Sequence, residues 1–174
     1  DAATQMGCLC FPGGGLTTVT RLRILMENEA TVLCCTPTYA LRLAEVAGQE
    51  GIDLKENKLR KIIVAGEPGG SIESTRKRLE EAWDAQVFDH HGMTEVGPVT
   101  YQWEEKANHL KVMEAAYYAE VIKPGTNDPV TEGEEGELIL TTLGRTGSPL
   151  IRYRTGDLVR PERHEEGLLL AGGI

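Results

Sequence analysis

The sequence predicts an α/β protein: a mostly parallel sheet with flanking helices, followed by an antiparallel β-rich lobe. Two observations carry that expectation. Before Pro98, short apolar runs such as Thr31–Cys35 and Lys61–Ala65 alternate with segments whose apolar residues recur at helical spacing, the rhythm of strands joined by crossover helices. After Pro98 the helical period is lost, and short strand-like runs follow one another between turns such as Pro124-Gly125-Thr126-Asn127-Asp128-Pro129. The change of rhythm divides the chain into an expected α/β lobe, residues 1–98, and a β-rich lobe, residues 99–174.

Taken in order, Leu9–Phe11 reads as the end of a short strand, closed by the Pro12-Gly13-Gly14-Gly15 turn. Leu16, Val19, Leu22, Leu25 and Met26 then mark a helix, with Thr17 or Thr18 as its cap. Thr31–Cys35 has the length and composition of a buried strand. Thr36-Pro37 stops it, and proline suits the first turn of the next helix. There Ala40, Leu43, Ala44 and Ala47 form one apolar stripe. Lys61–Ala65 is a second buried strand, ending at Gly66-Glu67-Pro68-Gly69-Gly70. Ser71 is the expected cap of the following helix, Glu73 suits its positive end, and Ile72, Leu79, Ala82 and Trp83 give its apolar face. Gln86–Asp89 is a third strand. Beyond it, Val99–Trp103, Leu110–Met113, Tyr117–Ile122, Glu137–Thr142, Leu150–Tyr153 and Asp157–Val159 are expected strands of an antiparallel sheet or distorted barrel.

The 174 residues suffice to bury a core without staples, and 40% of them are hydrophobic. A net charge of −9 argues against a nucleic-acid or anionic-membrane surface. No apolar run reaches the roughly 20 residues of a membrane-spanning helix. Cys8, Cys10, Cys34 and Cys35 lie among apolar residues and read as small buried thiols, which fits a reducing, cytoplasmic setting. Pro12–Gly15 is not a phosphate loop, since no Gly-Lys-Ser/Thr follows. His90 and His91 are adjacent on a strand and point to opposite faces, a poor arrangement for one metal ion. The acidic run Glu132–Glu137 reads as a solvated hairpin.

In a parallel sheet, ligands bind beyond the carboxyl ends of strands. The loops Gly66–Gly70 and His90–Gly97 would both lie there. Thr94 offers a hydroxyl and Glu95 a hard oxygen ligand, the pair that phosphate and magnesium require. Asp157 follows a glycine turn, where a carboxylate can accept bonds from vicinal ribose hydroxyls; a capped turn is the simpler alternative.

Gly66-Glu67-Pro68, His91-Gly92-Met93-Thr94-Glu95, Gly136-Glu137-Leu138 and Tyr153-Arg154-Thr155-Gly156-Asp157 resemble, in order and spacing, the motifs of the adenylate-forming enzymes. That superfamily includes acyl- and aryl-CoA ligases, luciferases and peptide-synthetase adenylation domains. The stretches Cys35–Arg42 and Pro149–Leu158 are most similar to its phenylacetate–CoA ligase branch. The resemblance implies a two-step reaction, in which a carboxylate attacks the α-phosphate of ATP and the thiol of coenzyme A then displaces AMP. It implies Thr94 and Glu95 as catalytic residues, with Thr94 on a phosphate oxygen and Glu95 on Mg2+. It places Gly66, Glu67, Pro68, Asp89, His90, His91, Gly92 and Met93 around the nucleotide, with Asp157 on the ribose. Tyr39, Ala65, Gly66 and Gly97 are candidates for the acyl pocket.

Three departures qualify the carry-over. The family usually has an aromatic, often Tyr, where His91 stands. Tyr101 and Trp103 occupy places where relatives carry zinc-suited cysteines, so no zinc is expected. The loop gripping pyrophosphate is expected before Asp1, and the hinge and lysine-bearing domain after Ile174, which makes this chain the central part of a large domain. The expected partner is an aryl or acyl carboxylic acid, with no nucleic acid or membrane, and a homodimer is an open expectation for the longer protein. A carrier-protein-loading adenylation enzyme and a non-catalytic AMP-binding or interaction module are the alternatives.

Overall fold

The computed structural model describes residues 2–172 and 174. A one-turn helix, α1 (Ala2–Gln5), precedes α2 (Thr18–Glu27), which is capped by the Thr17 hydroxyl accepting from Thr20 N. Three strands, β1 (Val32–Cys35), β2 (Lys61–Val64) and β3 (Gln86–Asp89), pair in parallel in that order. Helices α3 (Pro37–Gln49) and α4 (Glu73–Trp83) make the crossovers. Leu22, Leu43, Ile62, Leu79, Trp83 and Val87 form the core of this half, because both apolar helix stripes and the sheet face close on the same layer.

A two-stranded hairpin, β4 (Gly92–Met93) and β5 (Gly97–Pro98), leads into the second half. There β6 (Thr100–Trp103), β7 (Lys106–Val112), β8 (Tyr117–Ile122), β9 (Gly136–Thr142), β10 (Tyr153–His164) and β11 (Gly167–Ala171) form an antiparallel sheet in the order β6-β7-β11-β10-β9-β8. Its core holds Val96, Val99, Leu138, Leu140, Val159 and Leu170. The expected fold class is the observed one.

Several local expectations are corrected. Leu9–Phe11 is an irregular, exposed segment, not a strand. Leu150–Tyr153 and Asp157–Val159 are not two strands: β10 begins at Tyr153 and runs through Val159, absorbing the glycine turn as an irregularity between Arg154 and Leu158. Cys8, Cys10 and Cys34 are exposed and only Cys35 is partly buried. Cys34 lies on the accessible face of edge strand β1, whereas burial above all, with Cys34 and Glu67 adding to it, pushes the Cys35 thiol up to about 12. Ser71 does not cap α4; Ile72 holds that position without a side-chain bond, because the Ser71 hydroxyl is directed to Asp89. Ile72 is correspondingly exposed. The acidic run is, as expected, an exposed turn from Glu132 to Glu135; Glu135 pairs with Arg160 at 2.6 Å, and Glu137, already in β9, with Arg154 at 2.5 Å.

Candidate active site

Strands β2 and β3 pair with Val64 opposite Asp89, so the chain leaves both strands side by side. Gly66-Glu67-Pro68 departs from one and His90-His91 from the other. The first loop is anchored by Glu67, whose Oε1 accepts from Thr38 N at 2.7 Å and from the Thr38 hydroxyl. Thr38 lies in the first turn of α3, where unpaired N–H groups and the helix dipole favour an anion. The Thr38 hydroxyl bond and then its backbone bond accordingly hold the Glu67 carboxyl below its usual range. Gly66 takes φ +90°, a conformation open to glycine.

Beyond β3 the backbone of His91 is fixed by β6. Its N–H donates to Thr100 Oγ1 at 3.0 Å, and its carbonyl accepts from Val99 N and Thr100 N at 2.9 and 3.1 Å. The β4–β5 hairpin then projects Thr94 and Glu95 at its turn, both exposed. The turn is held from behind: Tyr117 Oη donates to Val96 O at 2.7 Å, and the Arg145 guanidinium donates to Glu95 O. Val96 is buried beneath them. Among the described residues, the Thr94 hydroxyl and the Glu95 carboxylate have no hydrogen-bond or ion-pair partner.

Asp157 comes from β10 to His91, just beyond β3. Gly156 at φ +81° makes the turn, Thr155 Oγ1 donates to Leu138 O at 2.9 Å, and Asp157 N donates to Thr155 Oγ1 at 3.0 Å. The Asp157 carboxylate meets His91, with Oδ2 3.1 Å from Nε2. The His91 bond is the largest reason its carboxyl is held below the usual range. The side chain remains 31% exposed and can still meet a ligand.

Asp89 behaves differently. At 2% exposure its carboxylate is turned into the protein, where Ser71 Oγ donates to Oδ2 at 2.7 Å. Burial raises its pKa, against the opposing effects of Ser71 and Arg76. The carboxylate is thus not presented beside the exposed Thr94 and Glu95 side chains. Two residues missed by the sequence reading support this wall. Buried Arg76 donates to Val87 O, Gln102 Oε1 and Ala107 O, tying β3 to β6 and β7. Gln102 Oε1 also accepts from Asp89 N at 3.1 Å. A signal was present: Arg76 falls on the apolar stripe of α4 with Leu79 and Trp83.

Of the acyl-pocket candidates, Tyr39 is engaged elsewhere. Its hydroxyl accepts from Arg21 and donates to Thr18 Oγ1 at 3.3 Å. No group of three or more His, Cys, Asp or Glu side chains suited to a metal occurs among the described residues. A single free carboxylate at Glu95 nonetheless fits magnesium, which binds through one or two carboxylates, with phosphate oxygens and water completing its shell.

Residues 3–144 match the AMP-binding enzyme family. The phenylacetate–coenzyme A ligase of Pseudomonas putida is 31% identical over 160 residues, covering 91% of this chain and 36% of that protein. The corresponding ligase of Thermus thermophilus is 32% identical over 158 residues, 90% of this chain and 35% of its own length. The crystal structure of 2-hydroxyisobutyryl-CoA ligase in complex with 2-HIB-AMP and CoA is similar over 94% of this chain and 37% of that one, with a TM-score of 0.86 and 29% identity. The chain thus spans about a third of the length of these relatives. It belongs to the AMP-binding enzyme family and has the fold of its adenylate-forming acyl-CoA ligases.

Proposed function

We propose that the chain supplies the AMP-holding wall of an acid–CoA ligase. Two observations support this reading: the Gly66-Glu67-Pro68 loop leaves β2 beside the end of β3, and Asp157 meets His91, just before the Thr94-Glu95 turn. In this reading Asp157 receives the ribose hydroxyls, while the backbone of Gly66–Pro68 and of His90–Met93 flanks the adenine. The Thr94 hydroxyl bonds a phosphate oxygen, and Glu95 holds magnesium, which neutralises charge on the transferring phosphate. The acid's carboxylate oxygen attacks the α-phosphorus and pyrophosphate leaves. The thiol sulfur of coenzyme A then attacks the acyl carbon, and AMP departs with the electrons of the broken C–O bond. Relatives named for phenylacetate make arylacetic acids the first acids to test, with small hydroxy acids next.

The test is acid-dependent formation of acyl-CoA and AMP by the protein that carries this chain, with ATP–pyrophosphate exchange as the separate readout of adenylation. The 174-residue chain alone is expected to bind AMP without sustaining exchange. Exchange by it at the rate of a complete ligase would overturn that part of the reading. Labelling of a carrier protein with none of coenzyme A would reassign the acceptor.

A further inference from the structure

His91 has a role that the nucleotide-binding reading does not assign. Its backbone is held at three points by Val99 and Thr100, and the residue is only 7% exposed. Little of the ring is left open to a purine. What the ring does meet is Asp157, through Nε2.

Asp157, by contrast, stands on backbone that needs a tether. Pairing of β10 with β9 is irregular between Arg154 and Leu158. Within that gap Gly156 has a positive φ and no atom within 4 Å of the position a Cβ would take. A bulged residue loses its ladder bonds and takes its direction from other contacts. Thr155 supplies one such contact to the Asp157 backbone. His91 supplies the one to the carboxylate, from a strand end that β6 holds in place.

We propose that His91 is a positioning residue, which holds the Asp157 carboxylate for the ribose hydroxyls of a bound nucleotide and does not stack on its base. This rests on the nucleotide-binding reading above. With a proton on Nε2, His91 donates to Oδ2, and the remaining capacity of the carboxylate serves the ribose.

The test compares binding of AMP and 2′,3′-dideoxy-AMP to the protein by calorimetry, in wild type, His91→Phe, His91→Gln and Asp157→Asn. The wild type should prefer AMP. His91→Phe keeps an aromatic face but removes the donor, and should lose about tenfold in AMP affinity with dideoxy-AMP binding unchanged. His91→Gln offers an amide donor and should retain most of the preference. Asp157→Asn should reduce the preference, and His91→Phe should add little to it. Tighter or unchanged binding of both nucleotides by His91→Phe would overturn the proposal in favour of stacking. Equal weakening of both by Phe and Gln would overturn it in favour of a general structural role. If His91→Phe does not fold, the wild-type ring protons decide: a marked upfield shift on adding AMP means stacking and overturns the proposal, and its absence supports it. Failure of the wild type to bind AMP at all would overturn the nucleotide reading itself, and this role with it.

Discussion

Ser71 Oγ donates to Asp89 Oδ2 at 2.7 Å, while Asp89 Oδ1 is buried without a hydrogen-bond partner among the described residues. The serine thus satisfies half of a carboxylate that the fold has taken out of water. Gly70 makes this packing possible: a Cβ there would lie 2.5 Å from Asp89 Cγ. A buried carboxylate with one satisfied oxygen is costly in its charged form.

The first prediction concerns that cost. Because burial raises the folded-state pKa of Asp89 above its ordinary 3.8, the native state holds the proton more tightly than the unfolded chain. Its contribution to stability is full below the ordinary value and is lost as pH rises through the raised one. Asp89→Asn should therefore be more stable than wild type at pH 7, by about 1 kcal/mol. The advantage should shrink as pH falls towards the ordinary value. Urea unfolding across that range checks both the sign and the trend; a large loss of stability at pH 7 would contradict them.

Asp157 should give the opposite slope. Its carboxyl is held below the ordinary 3.8, chiefly by the His91 bond. Its stabilising contribution is present above the ordinary value and disappears as pH falls through the depressed one. Asp157→Asn should be less stable than wild type at pH 7, with the difference closing only in the acid range below the ordinary value. Asp89 and Asp157 would then show opposite pH trends, which a shared non-specific effect of acid could not produce.

The parts of the fold that could be read in the sequence share a physical reason. β2 and β3 are short apolar runs bounded by polar or turn residues, and α3 carries a regular apolar stripe, so local pattern and tertiary burial agree; β1 has the same composition but lies at the sheet edge with no fully buried residue. The motifs around His91 and Asp157 also named two residues that the fold brings into contact. The rest depended on distant partners. Ser71 resembled a helix cap until a buried Asp89 competed for its hydroxyl. Gly156 resembles a turn between two strands and Asp157 the start of the second, yet one strand passes through both as an irregularity. Arg76 meets Gln102 and Ala107, residues from beyond the hairpin, and no local window contains both ends of that contact.

That contact underlies the third prediction. Arg76 is 8% exposed and bonds one acceptor on each of β3, β6 and β7. Arg76→Met fills much of the volume but leaves Val87 O, Gln102 Oε1 and Ala107 O without that donor. It should cost about 3 kcal/mol, since hydrogen bonds from a charged donor are worth about 1.5–3 kcal/mol each and the acceptors recover part of the loss. Arg76→Lys should recover little, because one ammonium cannot span acceptors on three strands as a planar fork does. Denaturant unfolding monitored separately at Trp83 and Trp103 checks the linkage. Separation of the two transitions in Arg76→Met would show that this side chain couples the two sheets.

The last prediction concerns the turn that presents Thr94 and Glu95. Gly92 lies opposite Pro98 across β4 and β5, so close that a Cβ on Gly92 would lie 2.8 Å from Gly97 O and 3.0 Å from Pro98 Cα. Those are backbone atoms, and Val99 N, just beyond them, is bonded to His91 O. The second strand of the hairpin cannot simply step aside. Gly92→Ala should cost about 1–3 kcal/mol, in the range of overpacked sites. More tellingly, it should shift Thr94 and Glu95 relative to Asp157, whose backbone belongs to β10 and whose carboxylate meets His91, itself bonded to Val99 and Thr100. Nucleotide binding with magnesium should then weaken more than binding of adenosine, which engages Asp157 but lacks phosphate. Calorimetry with AMP and adenosine, each with and without magnesium, separates the two effects; equal weakening of both ligands would show that the glycine serves the fold and not the placement of the phosphate-facing pair.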